Sequence, residues 1–167
     1  DGKRRVLHEQ AFARLTPDGR LDIRAGIQSI GQGLETTLAQ VAADRLGIDM
    51  DDIFVRLGDT EISPYSSGAW GSRGMVWAGG AVARACEELA ERVAAIGAAL
   101  LQTNIESVEV RDGGVHGPDG DISIADIAKS YYLRPGDVPG DTDDEEVANA
   151  LVEHDHTVDA ADGVQPV

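Results

Sequence analysis

Between Leu21 and Leu46 the apolar period changes from two to between three and four, and a Gly-Gln-Gly triplet marks the change. Upstream, Leu21, Ile23, Ala25 and Ile27 alternate on one face, the spacing of a half-buried strand. Downstream, Leu34, Leu38, Val41, Ala42 and Leu46 form a helical stripe, and Gly47 supplies a stop. Only folds that mix strand and helix accommodate this join. Glycine weakens both elements, so Gly31 and Gly33 either make a tight turn or keep the backbone bare for a ligand.

The rest of the chain extends the alternation of elements. Residues 5 to 27 read as a β-hairpin, with TPDGR as its turn: Pro17 presets its φ and Gly19 accepts a positive one. Asp51 and Asp52 open a strand over Ile53 to Leu57. A long Gly- and Ser-rich loop then covers 58 to 74 and carries Tyr65 and Trp70; loops of that length in compact domains are often functional. It feeds a helix from about Met75 to Leu101, whose stripe is Val82, Cys86, Leu89, Val93, Ile96 and Leu100. Strands over Ser107 to Arg111 and Val115-His116 follow, joined across Asp112-Gly113-Gly114. Ser123 is placed to cap a short helix through Tyr131, with Asp126 at its third position. From Leu133 the chain turns acidic and loop-rich, with weak helical or strand character leading into VEHDHTV. The expected fold is α+β, a mixed sheet with two main helices packed on one face. The expected division is 1–132 as a partial ligand-binding unit and 133–167 as an acidic C-terminal segment.

Composition narrows the function classes. A formal charge of −16 argues against nucleic acid and anionic membranes as partners. A single cysteine, Cys86, excludes an internal disulfide framework and favours a reducing, cytoplasmic setting. No stretch reaches the roughly 18 apolar residues of a membrane span. The abrupt ends, DGKRRVLHEQ and ADGVQPV, lead us to expect a piece of a longer protein. There is no Gly-x-Ser-x-Gly elbow, P-loop or dinucleotide fingerprint. His154 and His156 flank Asp155 at a spacing that fits a solvated strand edge better than a metal site, and no metal ligand or catalytic residue is assigned.

Two segments could hold a ligand. The first N–H groups of a helix lack internal partners and carry the positive end of its dipole, so glycines just before it let an anion or carbonyl approach. Gln32 adds an amide that donates and accepts. GAWGSRG, residues 68 to 74, repeats the pattern, with a hydroxyl at Ser72 and a planar cation at Arg73 suited to phosphate. Two such loops in one domain suggest two sides of one anion-bearing ligand site. The plainer alternative is two unrelated turns, with Arg73 in a surface ion pair.

Taken together and in order, these segments resemble a known family. SIGQGLETTLAQVAADRLGIDMDDIFVRLGDTEISPYSSGAWGSRG is similar to the molybdenum-binding large subunit of the xanthine dehydrogenase and aldehyde oxidase family, closest to the bacterial carbon monoxide dehydrogenase large chains. The resemblance runs from about Gly26 to Val93, with weaker support from YYLRPGD. It implies a molybdopterin-binding domain in which Gly31, Gln32, Gly33, Trp70, Gly71, Ser72, Arg73 and Gly74 contact the cofactor. Gln32 would lie near the metal or pterin face, Trp70-Gly71 beside the molybdenum, and Ser72 and Arg73 on the phosphate side. In the bacterial enzymes the cofactor is usually the cytosine dinucleotide form. The family hydroxylates aldehydes, heterocycles or carbon monoxide with oxygen from water, passing electrons to [2Fe-2S] clusters and FAD on partner subunits.

The chain also departs from that pattern. The distal glutamate motif, the upstream substrate loop, the iron–sulfur cysteines and the flavin motifs are absent, and Gly74 stands where a hydroxyl residue often does. The resemblance therefore implies a fragment, inactive alone, whose partners are the rest of the large subunit, a FAD-binding medium subunit and an iron–sulfur small subunit. A free-standing phosphate- or nucleotide-binding module is the alternative.

Overall fold

Alternation at His8–Leu15 is what builds the central sheet. In this strand, β1, Glu9, Ala11, Ala13 and Leu15 are buried while the residues between them are half-exposed. It pairs antiparallel with β2, Leu21–Ala25, so that Ala13 lies opposite Ile23 and Leu15 opposite Leu21. The computed structural model describes residues 8–134, 136, 138 and 154–159. Val6 and Leu7 of the expected hairpin, almost all of the acidic run, and the side chains of His154 and His156 lie outside the described residues.

Helix α1 spans Leu34–Leu46 and buries Leu34, Leu38, Ala39, Ala42 and Leu46. Gly47 closes it in the left-handed conformation at φ 65°, its N–H donating to the carbonyl of Ala43. Strand β3, Ile53–Leu57, then pairs parallel to β2, with Ile23 opposite Val55. A parallel neighbour needs a crossover, and α1 provides it.

Helix α2 covers Gly80–Leu100 and buries Val82, Cys86, Leu89, Val93 and Ile96 along one stripe. Its approach differs from the expected continuous α-helix. Gly74–Gly79 forms a wider π-type turn that runs into α2. Glycines at 74, 79 and 80 lower the steric cost of that irregular turn, and such turns cluster at functional sites.

Strands β4 (Glu109–Arg111), β5 (Gly114–Gly117) and β6 (Gly120–Ser123) form a separate antiparallel sheet. The expected strand from Ser107 starts later because Ile105–Ser107 makes a 3₁₀ turn. Helix α3, Ile124–Leu133, is capped as expected: the Ser123 hydroxyl accepts from the backbone N–H of Asp126 at 3.0 Å. The Tyr132 hydroxyl donates to the Leu15 carbonyl at 2.8 Å and fixes α3 to the end of β1.

Strand β7, His154–Asp159, returns to pair antiparallel with β1, giving the order β3-β2-β1-β7. The architecture is α+β, with α1 and α2 packed against each other and against the four-stranded mixed sheet. Leu15, Ile23, Leu38, Leu46, Leu89 and Ile127 contribute to one continuous core. Among the described residues no helix is long and apolar enough to cross a membrane.

Candidate cofactor-binding site

The triplet at the start of α1 is held open by its backbone. Gly33, the N-cap, has φ 75° and ψ 27°, and no side chain caps the helix. Glycine at the N-cap thus supplies no side-chain acceptor to the first-turn N–H groups. Gly31 has φ 93°. A β-carbon added at Gly31 or Gly33 would meet no protein atom within 4 Å, so conformation rather than crowding selects glycine there. Gln32 is exposed, and its Oε1 accepts from the Ile30 N–H at 2.6 Å. The Ser29 hydroxyl donates to Glu35 at 2.7 Å and holds that carboxyl below its ordinary range, which occupies the one acid of the first turn.

The second loop lines the same cavity as Gln32. Gly26 leaves room for it, since a β-carbon there would lie 2.1 Å from the Pro64 carbonyl oxygen. Beyond it, Gly68 (φ 89°), Gly71 (φ 60°) and Ser72 (φ 57°) are all left-handed. For Ser72 this conformation costs about 1 kcal/mol. The Trp70 indole donates to the Ser67 carbonyl at 3.0 Å while its ring stays 48% exposed. At Gly74 a β-carbon would sit 3.7 Å from Leu34 and 3.8 Å from Ile27, which places the start of the π-type turn against α1.

Gln32 and the run Trp70, Gly71, Ser72, Arg73 and Gly74 therefore line one open cavity of about 460 Å³, floored by Leu34. That volume lies within the roughly 300–1,000 Å³ of small-molecule sites. Six of the eight residues singled out from sequence share this wall, and Gly31 and Gly33 flank Gln32.

Arg73 does something other than the surface ion pair considered from sequence. It is 4% exposed. Its Nη2 lies 3.1 Å from Glu9 Oε2, and Nη1 donates to the Gly68 carbonyl at 3.0 Å and to the Ser67 hydroxyl. Trp70 and Trp77 flank the guanidinium, each ring centre 5.7 Å away. Glu9 is fully buried. Burial pushes its carboxyl above the ordinary value, opposed by the neighbouring Ser66 side chain and by the charge of Arg73, although neither carboxyl oxygen has a well-formed hydrogen bond. Sequence reading missed Glu9, although the signal was present: a lone acid on the apolar face of β1 demands a buried cation.

Comparison with known proteins shows the family of the chain. The family model for the molybdopterin cofactor-binding domain matches residues 2–163. The chain belongs to that family. As a molybdopterin-binding domain it is 38% identical over 130 residues to the nicotine 6-hydroxylase large subunit of Paenarthrobacter nicotinovorans, covering 76% of this chain and 16% of that protein. It is also 38% identical over 132 residues to the carbon monoxide dehydrogenase large chain of Hydrogenophaga pseudoflava, covering 77% and 16%. Among solved structures, quinoline 2-oxidoreductase from Pseudomonas putida 86 superposes with a TM-score of 0.80 at 34% identity, covering 91% of the domain and 19% of that chain. The chain thus spans about a sixth of the length of the curated relatives it matches.

Proposed function

We propose that this domain grips molybdopterin between the Gly31–Gly33 and Trp70–Gly74 segments, as part of a molybdenum hydroxylase large subunit. The observation that carries the proposal is the shared cavity: Gln32 and Gly71 belong to distant loops and line the same wall. The chemistry of the site fits an anionic, polar ligand. A helix start with glycine at its N-cap leaves first-turn N–H groups other than that of Glu35 to a ligand, and bare glycines keep β-carbons out of the space it would fill. Ser72 lines the same cavity and brings a hydroxyl to it.

Each residue then has a task. Gln32 orients the pterin side through its amide, with Oε1 steadied by the Ile30 N–H. Trp70, half-exposed at the cavity mouth, limits water at the metal end. Ser72 takes the phosphate side. Arg73 lines the cavity, and its guanidinium is committed to Glu9. The proposed cofactor is the cytosine dinucleotide form, whose molybdenum supplies the activated oxygen and accepts the electrons of substrate oxidation.

The proposed reaction of the whole enzyme is hydroxylation of an aldehyde, a heterocycle or carbon monoxide with oxygen derived from water. Relatives named for nicotine and carbon monoxide chemistry support that class. Their designations as large subunit and large chain support smaller companions, which we assign as FAD-binding and [2Fe-2S] subunits in the cytoplasm. The test is Gly71→Val in the intact enzyme, with molybdenum and released cytidine monophosphate measured per folded polypeptide. Loss of both is expected; an undiminished content would remove the basis for placing the cofactor here.

A further inference from the structure

Glu9 does not line the cavity, yet it is the carboxylate that answers Arg73, which does. The guanidinium reaches from the cavity loop back to β1, lying 3.1 Å from Glu9 and donating to the His8 carbonyl at 3.3 Å. Its other nitrogen binds Ser67 and Gly68, residues at the opposite end of the same loop. One side chain therefore ties both ends of the 67–73 loop to each other and to the sheet. Backbone pairing also begins there, through an isolated bridge between Glu9 and Ser66.

The loop needs such a tie. Gly68, Gly71 and Ser72 are left-handed, and such a backbone cannot continue a strand or helix ladder. Within the loop proper backbone pairs with backbone once, from the Arg73 N–H to the Trp70 carbonyl at 3.3 Å, and local side chains add two short-range bonds, from the Gly68 N–H to the Ser66 hydroxyl and from the Trp70 indole to the Ser67 carbonyl. A buried guanidinium without a carboxylate is strongly unfavourable, so Arg73 stays inward only while Glu9 is charged and in place.

We infer that Glu9 is a positioning residue of the cofactor site: acting through Arg73, it sets the curvature of the Ser67–Ser72 loop against which the ligand rests. The inference depends on the proposed cofactor site. It also separates two roles for Arg73, since a residue that props the loop and a residue that touches phosphate respond differently to loss of Glu9.

The experiment uses the intact enzyme with Glu9→Gln, Arg73→Gln, the combined Glu9→Gln/Arg73→Gln, and the apolar pair Glu9→Leu/Arg73→Met. Gly71→Val serves as the site control. Molybdenum and released cytidine monophosphate are measured per folded polypeptide, alongside Tm. Glu9→Gln and Arg73→Gln should each lower retained cofactor about tenfold or more, the range seen for groups that support a ligand from behind. The double variant should be no worse than either single one, because both break the same tie. Glu9→Leu/Arg73→Met should melt near the parent, since apolar replacement of a buried pair is often neutral or better, and should still lose cofactor. That variant decides the matter if Glu9→Gln fails to fold, because a purely structural pair would be rescued by it in both readouts. Full cofactor in Glu9→Leu/Arg73→Met, or loss in Arg73→Gln with Glu9→Gln intact, overturns the inference. If Gly71→Val alone loses cofactor, only the role of Glu9 fails. If Gly71→Val also retains it, the placement of the cofactor fails as well.

Discussion

Gly97 of α2 packs against Val115 of β5 so closely that a β-carbon on the glycine would lie 2.7 Å from Cγ2 and 2.8 Å from Cβ of the valine. Val115 is fully buried, and its branched side chain cannot swing clear. Helix and small sheet meet at this point through the valine side chain alone, with none from the helix between them.

Gly97→Ala should therefore destabilise the domain, although alanine is the better helix former. Overpacking costs about 1–3 kcal/mol, against a propensity gain of about 0.5–1 kcal/mol, leaving a net loss on the order of 1 kcal/mol. Adding Val115→Ala should return part of it. A chemical denaturation series reads both effects, and a rise in stability for Gly97→Ala alone would show that the two elements can separate cheaply.

Replacing Gly33 or Gly71 by alanine isolates conformation from space. Both have positive φ and neither would bring a β-carbon within 4 Å of protein, so each change should cost about 1–2 kcal/mol of stability through strain. At Gly71, which lines the cavity, valine should also remove the cofactor from the intact enzyme, because its methyls would occupy cavity space. Equal cofactor content in the alanine and valine variants would count against that geometry.

The cap of α3 carries a pH signature. The Ser123 hydroxyl, and behind it Lys129, hold the Asp126 carboxyl below its ordinary value of 3.8. The charged contact contributes stability that is complete above that value and is lost as pH falls through the lowered folded-state value. Ser123→Ala should cost about 1 kcal/mol near neutrality. Its Tm difference from the parent should narrow in acid without vanishing, since the backbone N–H of Asp126 still needs an acceptor. A pH-independent difference would assign the whole effect to that N–H.

Cys86 should be inert in the folded domain. Burial raises its thiol from 9.0 to about 12, and the side chain is fully buried in the stripe of α2. At pH 8 a chromogenic disulfide reagent should label it only as fast as the domain opens, and immediately in denaturant. Prompt labelling of the native protein would mean that α2 is less securely packed than its contacts indicate.

Local chemistry is legible in the residues themselves. The apolar stripe of α1, the left-handed stop at Gly47 and the Ser123 cap all depend on neighbours within a few residues, and each forms where its pattern places it; β2 ends at Ala25, short of the expected Ile27, and buries Asp22 beside Leu21 and Ile23. The glycine-rich runs around Gln32 and Gly71 are legible for the same reason, because positive φ leaves its mark in residue type. The buried acid at Glu9 is visible in the sequence only as a demand for a cation. That demand does not name its partner: a charge on an apolar face is compatible with any guanidinium the fold brings near.

Tertiary structure chose Arg73, and in doing so turned a side chain with phosphate-binding chemistry inward. It also returned β7 to the edge of β1, which neither weak strand character nor composition could assign to a particular neighbour. Pairing and burial are settled by which distant surfaces exclude water together, and that choice depends on the whole chain rather than on any stretch of it. The convergence of the two glycine loops on one cavity is of this second kind: each bend is written locally, and their shared lining depends on distant contacts such as the close approach of Pro64 and Ser66 to Gly26.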